Sequence, residues 1–188
     1  MKKKAALQPG HLDVAAFARE RGRLEGMQPV AGMVRLSEGL DPPADAPAPQ
    51  VQWSAEGLWS QPLGDQPQPR LRLRAQTTVW LTCQRCLQPV ALPLEIDRTL
   101  RFVRDEDEAA RLDEEEEEED VLALPRALDL PALLEDELIL ALPIVPQHET
   151  CPQALPWSGE PAVPPGGVPD VDAPEHPFAV LKQLSRKE

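Results

Sequence analysis

The stretch that decides the fold is RLRLRAQTTVWLT, residues 70–82, followed after CQRCLQP by VALPLEI, residues 90–96. Leu71, Leu73, Ala75, Val79 and Leu81 share one face of an extended chain, and Arg70, Arg72, Arg74, Gln76 and Thr78 share the other. Alternation with a period of two is the pattern of a strand with one buried face. Val90, Leu92, Leu94 and Ile96 repeat it on the way back. The two runs predict an antiparallel hairpin with Cys83 and Cys86 at its tip.

Upstream of the hairpin, Val14, Phe17, Ala18, Arg21 and Leu24 fall at helical spacing within residues 12–25, with Asp13 placed to cap a short amphipathic helix. Val30–Leu36 and Val51–Trp59 read as strands. The prolines at 42, 43, 47 and 49 make a loop between them, since proline gives a sheet no ladder donor. Pro62–Pro69 reads as a second loop.

Downstream, residues 105–120 form a low-complexity acidic block ending in Glu114–Asp120. Like charges at this density repel, so the block is expected to be a disordered, solvated loop, or a docking surface for a basic partner. Leu130–Leu142 is the strongest helix: Asp129 can cap it, and Pro131 falls in the first turn, where proline is tolerated. Its stripe is Leu130, Leu133, Leu134, Leu138, Ala141 and Leu142, and Pro143 ends it. Residues 152–177 are rich in proline and glycine and read as a flexible tether. Residues 178–188 follow as a short amphipathic helix whose Phe178, Leu181 and Leu184 suit docking.

The expected fold class is therefore α+β, an antiparallel sheet with a few packed helices. It comprises one domain over residues 1–151 with the acidic loop inside it, then the tether and the terminal helix. The chain has 188 residues, enough for one real core. Its 23 prolines and absence of tyrosine leave part of it outside any core.

Nineteen basic against 32 acidic residues give a net charge of −13, which opposes long-range attraction to nucleic acid. Met1–Lys4 resembles a signal-peptide start, but Gln8, Pro9, His11 and Asp13 interrupt any apolar segment after it. No run approaches a membrane span. The expected location is the cytoplasm, with no membrane partner, and the reducing compartment disfavours a structural disulfide.

The chemistry-bearing constellation is Cys83-x-x-Cys86 on the hairpin tip, with a second half, His148-x-x-Cys151, after the strongest helix. Three sulfurs and one imidazole are a complete ligand set for a structural zinc ion. Reduced cysteines packed as small hydrophobes remain an alternative, as does thioredoxin-type redox chemistry, although that fold places its CxxC at a helix start. There is no phosphate-binding glycine loop, no GxSxG and no HExxH, and no active site or small-molecule substrate is expected. The basic residues cluster at Lys2–Lys4, at Arg70, Arg72 and Arg74, and at Arg98, Arg101 and Arg104. Together with Trp80 on the same strand face, the two arginine groups could form a stripe against RNA. A solvated outer sheet face is the simpler account.

Residues 81–90, LTCQRCLQPV, resemble the CQRCL signature of the YceD family, the large ribosomal RNA subunit accumulation proteins. The block Leu133–Cys151, containing EDELILALPIVPQHETC, is similar to the family's second signature. His176–Leu181, HPFAVL, resembles its carboxy-terminal NPFAVL segment, with His176 in place of asparagine. The resemblance spans residues 12–188. It implies a non-catalytic ribosome-biogenesis factor supporting the synthesis, processing or stability of 23S ribosomal RNA and large-subunit assembly. The implied partner is the large-subunit precursor, through 23S RNA or a small basic ribosomal protein that an acidic factor could hold. The Pro-rich loop, the long Glu run and the extended tether depart from the family pattern. The alternatives are a CxxC thiol–disulfide protein and a zinc-stabilised interaction module with no ribosomal role.

Overall fold

Five strands form one sheet in the order β1-β2-β3-β4-β5, with β1 at Arg23–Pro29, β2 at Gln50–Ser60, β3 at Gln68–Thr82, β4 at Pro89–Val103 and β5 at Asp120–Ala123. The structure, a computed structural model, describes residues 8–60, 68–114 and 119–152. The chain divides into Met1–Gln153 and Ala154–Glu188, and every element described belongs to the first unit. The tether, the terminal helix and its Phe178, Leu181 and Leu184 lie outside the described residues, as do Lys2–Lys4.

The hairpin read from the sequence is present and longer than its pattern. β3 and β4 pair antiparallel from Arg70↔Arg101 to Thr82↔Pro89. Leu71, Leu73, Ala75, Val79 and Leu81 are buried, and so are Val90, Leu94, Ile96 and Leu100 from the return strand. β2 pairs antiparallel with both β1 and β3. The sheet is nevertheless mixed, because β5 runs parallel to β4, with Leu100↔Asp120 and Val103↔Ala123 in register. A four-residue strand after a charge run gives no period-two signal of its own. It forms because it covers the free edge of β4.

The acidic block also departs from expectation. Glu106–Asp113 is a helix, α3, whose N-cap Asp105 accepts from the Glu108 N–H at 2.9 Å. Glu106, Asp107 and Glu108 sit in its first turn, where carboxylates oppose the positive end of the helix dipole. Charge repulsion is thus offset by capping and by a small apolar cluster in which Ala109 and Leu112 meet Val103 and Val121. Residues 115–118 lie outside the described residues.

Two further expectations are corrected near the amino terminus. The first helix, α1, spans only Val14–Arg19, capped by Asp13, which accepts from the Ala16 N–H at 2.9 Å. It stops because Arg21 takes φ 48° and the Gly22 N–H turns back to the Phe17 carbonyl at 2.8 Å. A Cβ at Gly22 would stand 2.3 Å from the Phe17 ring, so only glycine lets the chain pass, and Leu24 falls in β1. The run Val30–Leu36 is no strand. It folds as a 3₁₀ turn, Val30–Gly32, and a short helix, α2, at Val34–Glu38. The Glu135 carboxylate accepts from the Arg35 and Leu36 N–H groups at 2.7 and 3.1 Å, a tertiary cap that no local pattern announces. Gln68 and Pro69, read as loop, open β3, while residues 61–67 lie outside the described residues.

The helix expected over Leu130–Leu142 is α4, Leu130–Leu140, with Asp129 accepting from the Ala132 N–H at 3.0 Å. Leu130, Leu134 and Leu138 are buried and Leu133 half-buried, whereas Ala141 is exposed past the helix end. α1 and α4 pack on the buried face of the sheet, with α2 against α4. Phe17, Leu36, Leu71, Leu73, Leu100, Phe102, Leu134 and Leu138 form the core between them. Leu12 closes one edge by exchanging backbone hydrogen bonds with Leu128 at 2.9 and 2.8 Å.

Leu138 is fully enclosed, at 0% exposure. Leu138→Ala should cost about 2–5 kcal/mol, read as a lower urea midpoint at unchanged slope.

Candidate metal centre

The turn joining β3 to β4 is a tight reversal around two cysteines. The Cys83 N–H donates to the Gln88 carbonyl at 2.9 Å, and the Leu87 N–H donates to the Cys83 carbonyl at 2.8 Å. Leu87 takes φ 60°, a left-handed conformation that costs a non-glycine residue of order 1 kcal/mol and is held here by those bonds. The reversal points both sulfurs inward: Cys83 is 0% and Cys86 4% exposed.

The second half arrives on the segment leaving α4. The Pro146 carbonyl accepts from the Gln84 N–H at 2.9 Å, which seats that segment on the hairpin tip. His148 and Cys151 then come in beside the cysteines, each half-buried. One ligand atom from each of Cys83, Cys86, His148 and Cys151 lies within 4.8 Å of every other. The Cys83 and Cys151 sulfurs are 3.9 Å apart, and Cys86 Sγ is 3.4 Å from His148 Nδ1. Metal–sulfur bonds of about 2.3 Å in tetrahedral geometry would place sulfurs about 3.8 Å apart and sulfur from nitrogen about 3.6 Å. The four groups can hold one metal ion.

The surroundings prepare the donors. His148 Nε2 lies 3.2 Å from the Pro89 carbonyl, which can only accept, so the proton belongs on Nε2 and the lone pair of Nδ1 faces the cysteines. Burial pushes the Cys83 thiol up, but the backbone N–H groups of His148, Arg85 and Cys86 and the His148 ring outweigh it and hold the thiol down at about 5. Cys86 is displaced upward, by burial first and then by the neighbouring sulfurs of Cys151 and Cys83. Sulfurs this close resist carrying several negative charges without a cation among them.

The arginine stripe shows a different arrangement. Asp97 accepts from Arg72 Nε at 2.8 Å and from Arg72 Nη2 at 2.7 Å, and lies 3.3 Å from Arg74 Nε. Arg70 pairs with Glu119 at 2.9 Å, Arg98 approaches Glu137 at 3.9 Å, and Arg104 pairs with Asp105 at 2.8 Å. Arg101 is buried and bonds Gln68. Trp80 is half-buried beside Ala91. A broad hollow of about 1000 Å³ over this face is lined by groups of both signs, among them Glu25, Arg74, Glu95 and Asp97. Sequence reasoning named the four candidate ligands but missed Arg85 and the Pro89 carbonyl. Arg85 stands inside the CxxC motif, yet nothing in the motif shows where its side chain goes.

These features define a class: a small mixed-sheet α+β domain whose hairpin tip and post-helix loop meet in a three-cysteine, one-histidine cluster. The chain belongs to the family described as large ribosomal RNA subunit accumulation protein YceD, which matches residues 71–185. It is similar to the large ribosomal RNA subunit accumulation protein YceD of Haemophilus influenzae, at 37% identity over 115 residues, 61% of this chain and 64% of that protein. The aligned part therefore spans less than two thirds of that relative. No solved structure matches the chain.

Arg72, through its hydrogen bonds, and then Arg74 hold the Asp97 carboxyl down at about 2. With the folded value below the unfolded one, the stabilisation is full above about pH 4 and is lost as pH falls towards 2. Asp97 is half-exposed, so Asp97→Asn should cost less than about 1 kcal/mol at neutral pH. The gap between variant and parent unfolding free energies should close on acidification.

Proposed function

We propose that this chain is a non-catalytic cytoplasmic factor that supports accumulation of 23S ribosomal RNA and assembly of the large subunit, and that zinc staples its hairpin tip. The observation that carries the reading is the family match over residues 71–185, a span that contains both halves of the metal cluster. The relative's name attaches to accumulation of large-subunit ribosomal RNA. Among the described residues, no helix is long and apolar enough to cross a membrane.

Zinc is the ion of choice for three thiolates and an imidazole in tetrahedral array. Bound there, it would supply structural cross-linking. Four protein ligands leave no open position for water or substrate, which supports a non-catalytic role. Cys83 and Cys86 would hold the ion from the tip, and His148 and Cys151 from the loop after α4. The thiol–disulfide alternative is disfavoured because the cysteine with the lowered thiol, Cys83, is wholly buried, whereas an attacking thiolate needs access.

Contact with the precursor through a protein partner fits better than direct RNA binding. Arg70, Arg72 and Arg74 already face carboxylates, and the net charge is −13. The acidic residues of α3 and the run after it suit a small basic ribosomal protein, and the apolar residues Phe178, Leu181 and Leu184, outside the described residues, could serve as a second point of docking.

Depletion should lower 23S relative to 16S ribosomal RNA, and an unchanged ratio would sink the assembly role. A preserved ratio, with zinc still bound, would turn the reading to an interaction module outside the ribosome. The tagged protein should co-sediment with large-subunit precursors yet give few ultraviolet cross-links to RNA. Discrete 23S cross-links abolished by Arg72→Glu with Arg74→Glu would overturn contact through protein. Purified full-length chain should carry about one zinc ion, lost in Cys83→Ser and released by mild acid as the thiolates protonate.

A further inference from the structure

Arg85 sits between the two tip cysteines and is itself exposed, yet its side chain is not spread into solvent. It reaches across to the other half of the cluster. Nε donates to Cys151 Sγ at 3.0 Å, and Nη2 donates to the His148 carbonyl at 2.8 Å and the Glu149 carbonyl at 3.2 Å. These three bonds bridge 63 to 66 positions of sequence, from the middle of one half-site to the backbone and ligand of the other.

We infer that Arg85 is the positioning residue of the metal centre: its guanidinium fork fastens the His148–Cys151 loop to the hairpin tip and compensates the charge of the loaded cluster. The inference rests on the reading of Cys83, Cys86, His148 and Cys151 as metal ligands. Three thiolates and a neutral imidazole around a divalent ion leave one net negative charge, and Arg85 supplies one positive charge against it. The ligand it touches, Cys151, is the cysteine not fully buried, so it is the one most open to competing water. A hydrogen bond to that sulfur holds its lone pairs in place and lowers their energy.

The planar fork matters as much as the charge. One arginine can serve a sulfur and two carbonyls at once, because its N–H groups are rigidly spaced. A lysine at the same position carries the charge on a single ammonium and cannot reproduce all three bonds. Charge compensation and loop fastening can therefore be separated by substitution.

The test uses full-length chain, wild type and the variants Arg85→Gln and Arg85→Lys, loaded with Zn²⁺ and titrated with a chelator. Arg85→Gln should weaken Zn²⁺ binding by roughly 10- to 100-fold, with Arg85→Lys between it and wild type. With Co²⁺ as the probe, the sulfur-to-metal charge-transfer band should move to lower energy in Arg85→Gln, a shift that a general loss of stability does not produce. In metal-free protein, amides of residues 147–152 should exchange faster in Arg85→Gln while those of β3 and β4 keep their protection. Wild-type affinity and an unmoved band in Arg85→Gln would overturn the inference and leave the metal centre standing. If wild-type protein takes up neither Zn²⁺ nor Co²⁺, the metal reading falls, and the exchange measurement alone then decides whether Arg85 fastens the loop.

Discussion

The pairing of β3 with β4 is the constraint on which the rest of the molecule depends. Its register, from Arg70↔Arg101 to Thr82↔Pro89, sets which side chains enter the core and which face out. A slip of one residue would exchange the two faces, burying arginines where leucines now pack. The same register brings Asp97 beside Arg72 and Arg74, so like charges on neighbouring positions of β3 are bridged by a carboxylate from the next strand. One end of the ladder turns the cysteines inward, and the other leaves an edge for β5.

What could be read from the sequence was what depends on local pattern. The hairpin declared itself by alternation, β2 by its run between prolines, and α4 by Asp129 followed by a leucine stripe. The parts that were misread depend on distant partners. α2 takes its cap from Glu135, a residue 100 positions away. β5 is too short to show a period and exists because β4 has an edge to cover. α3 looked like repulsive charge, and became a helix through Asp105 and the few apolar groups hidden among the acids. For the candidate site, residue types and spacing within each half were visible. That the halves meet depends on where α4 ends and on Pro146 accepting from Gln84, neither of which a motif contains.

The charge distribution also reads differently in three dimensions. Arg70, Arg72, Arg74 and Arg98 on the sheet are each engaged by a nearby carboxylate. A chain of net charge −13 thus spends much of its positive charge internally, holding strands and helices in register. This is why a stripe that looks basic in one dimension presents a mixed face.

The contacts at the tip have a topological consequence. By joining Cys83's turn to Cys151's loop, positions 68 apart in sequence, they shut a ring of chain through which β4, α3, β5 and α4 all run. β1, β2, α1 and α2 lie outside that ring. A permanent closure of this size would remove about 4 kcal/mol of chain entropy from the unfolded ensemble. The domain is therefore divided by connectivity rather than by packing: its outer strands can peel away with the ring intact, whereas the separation open to β4 and α4 stays limited until the clasp has opened.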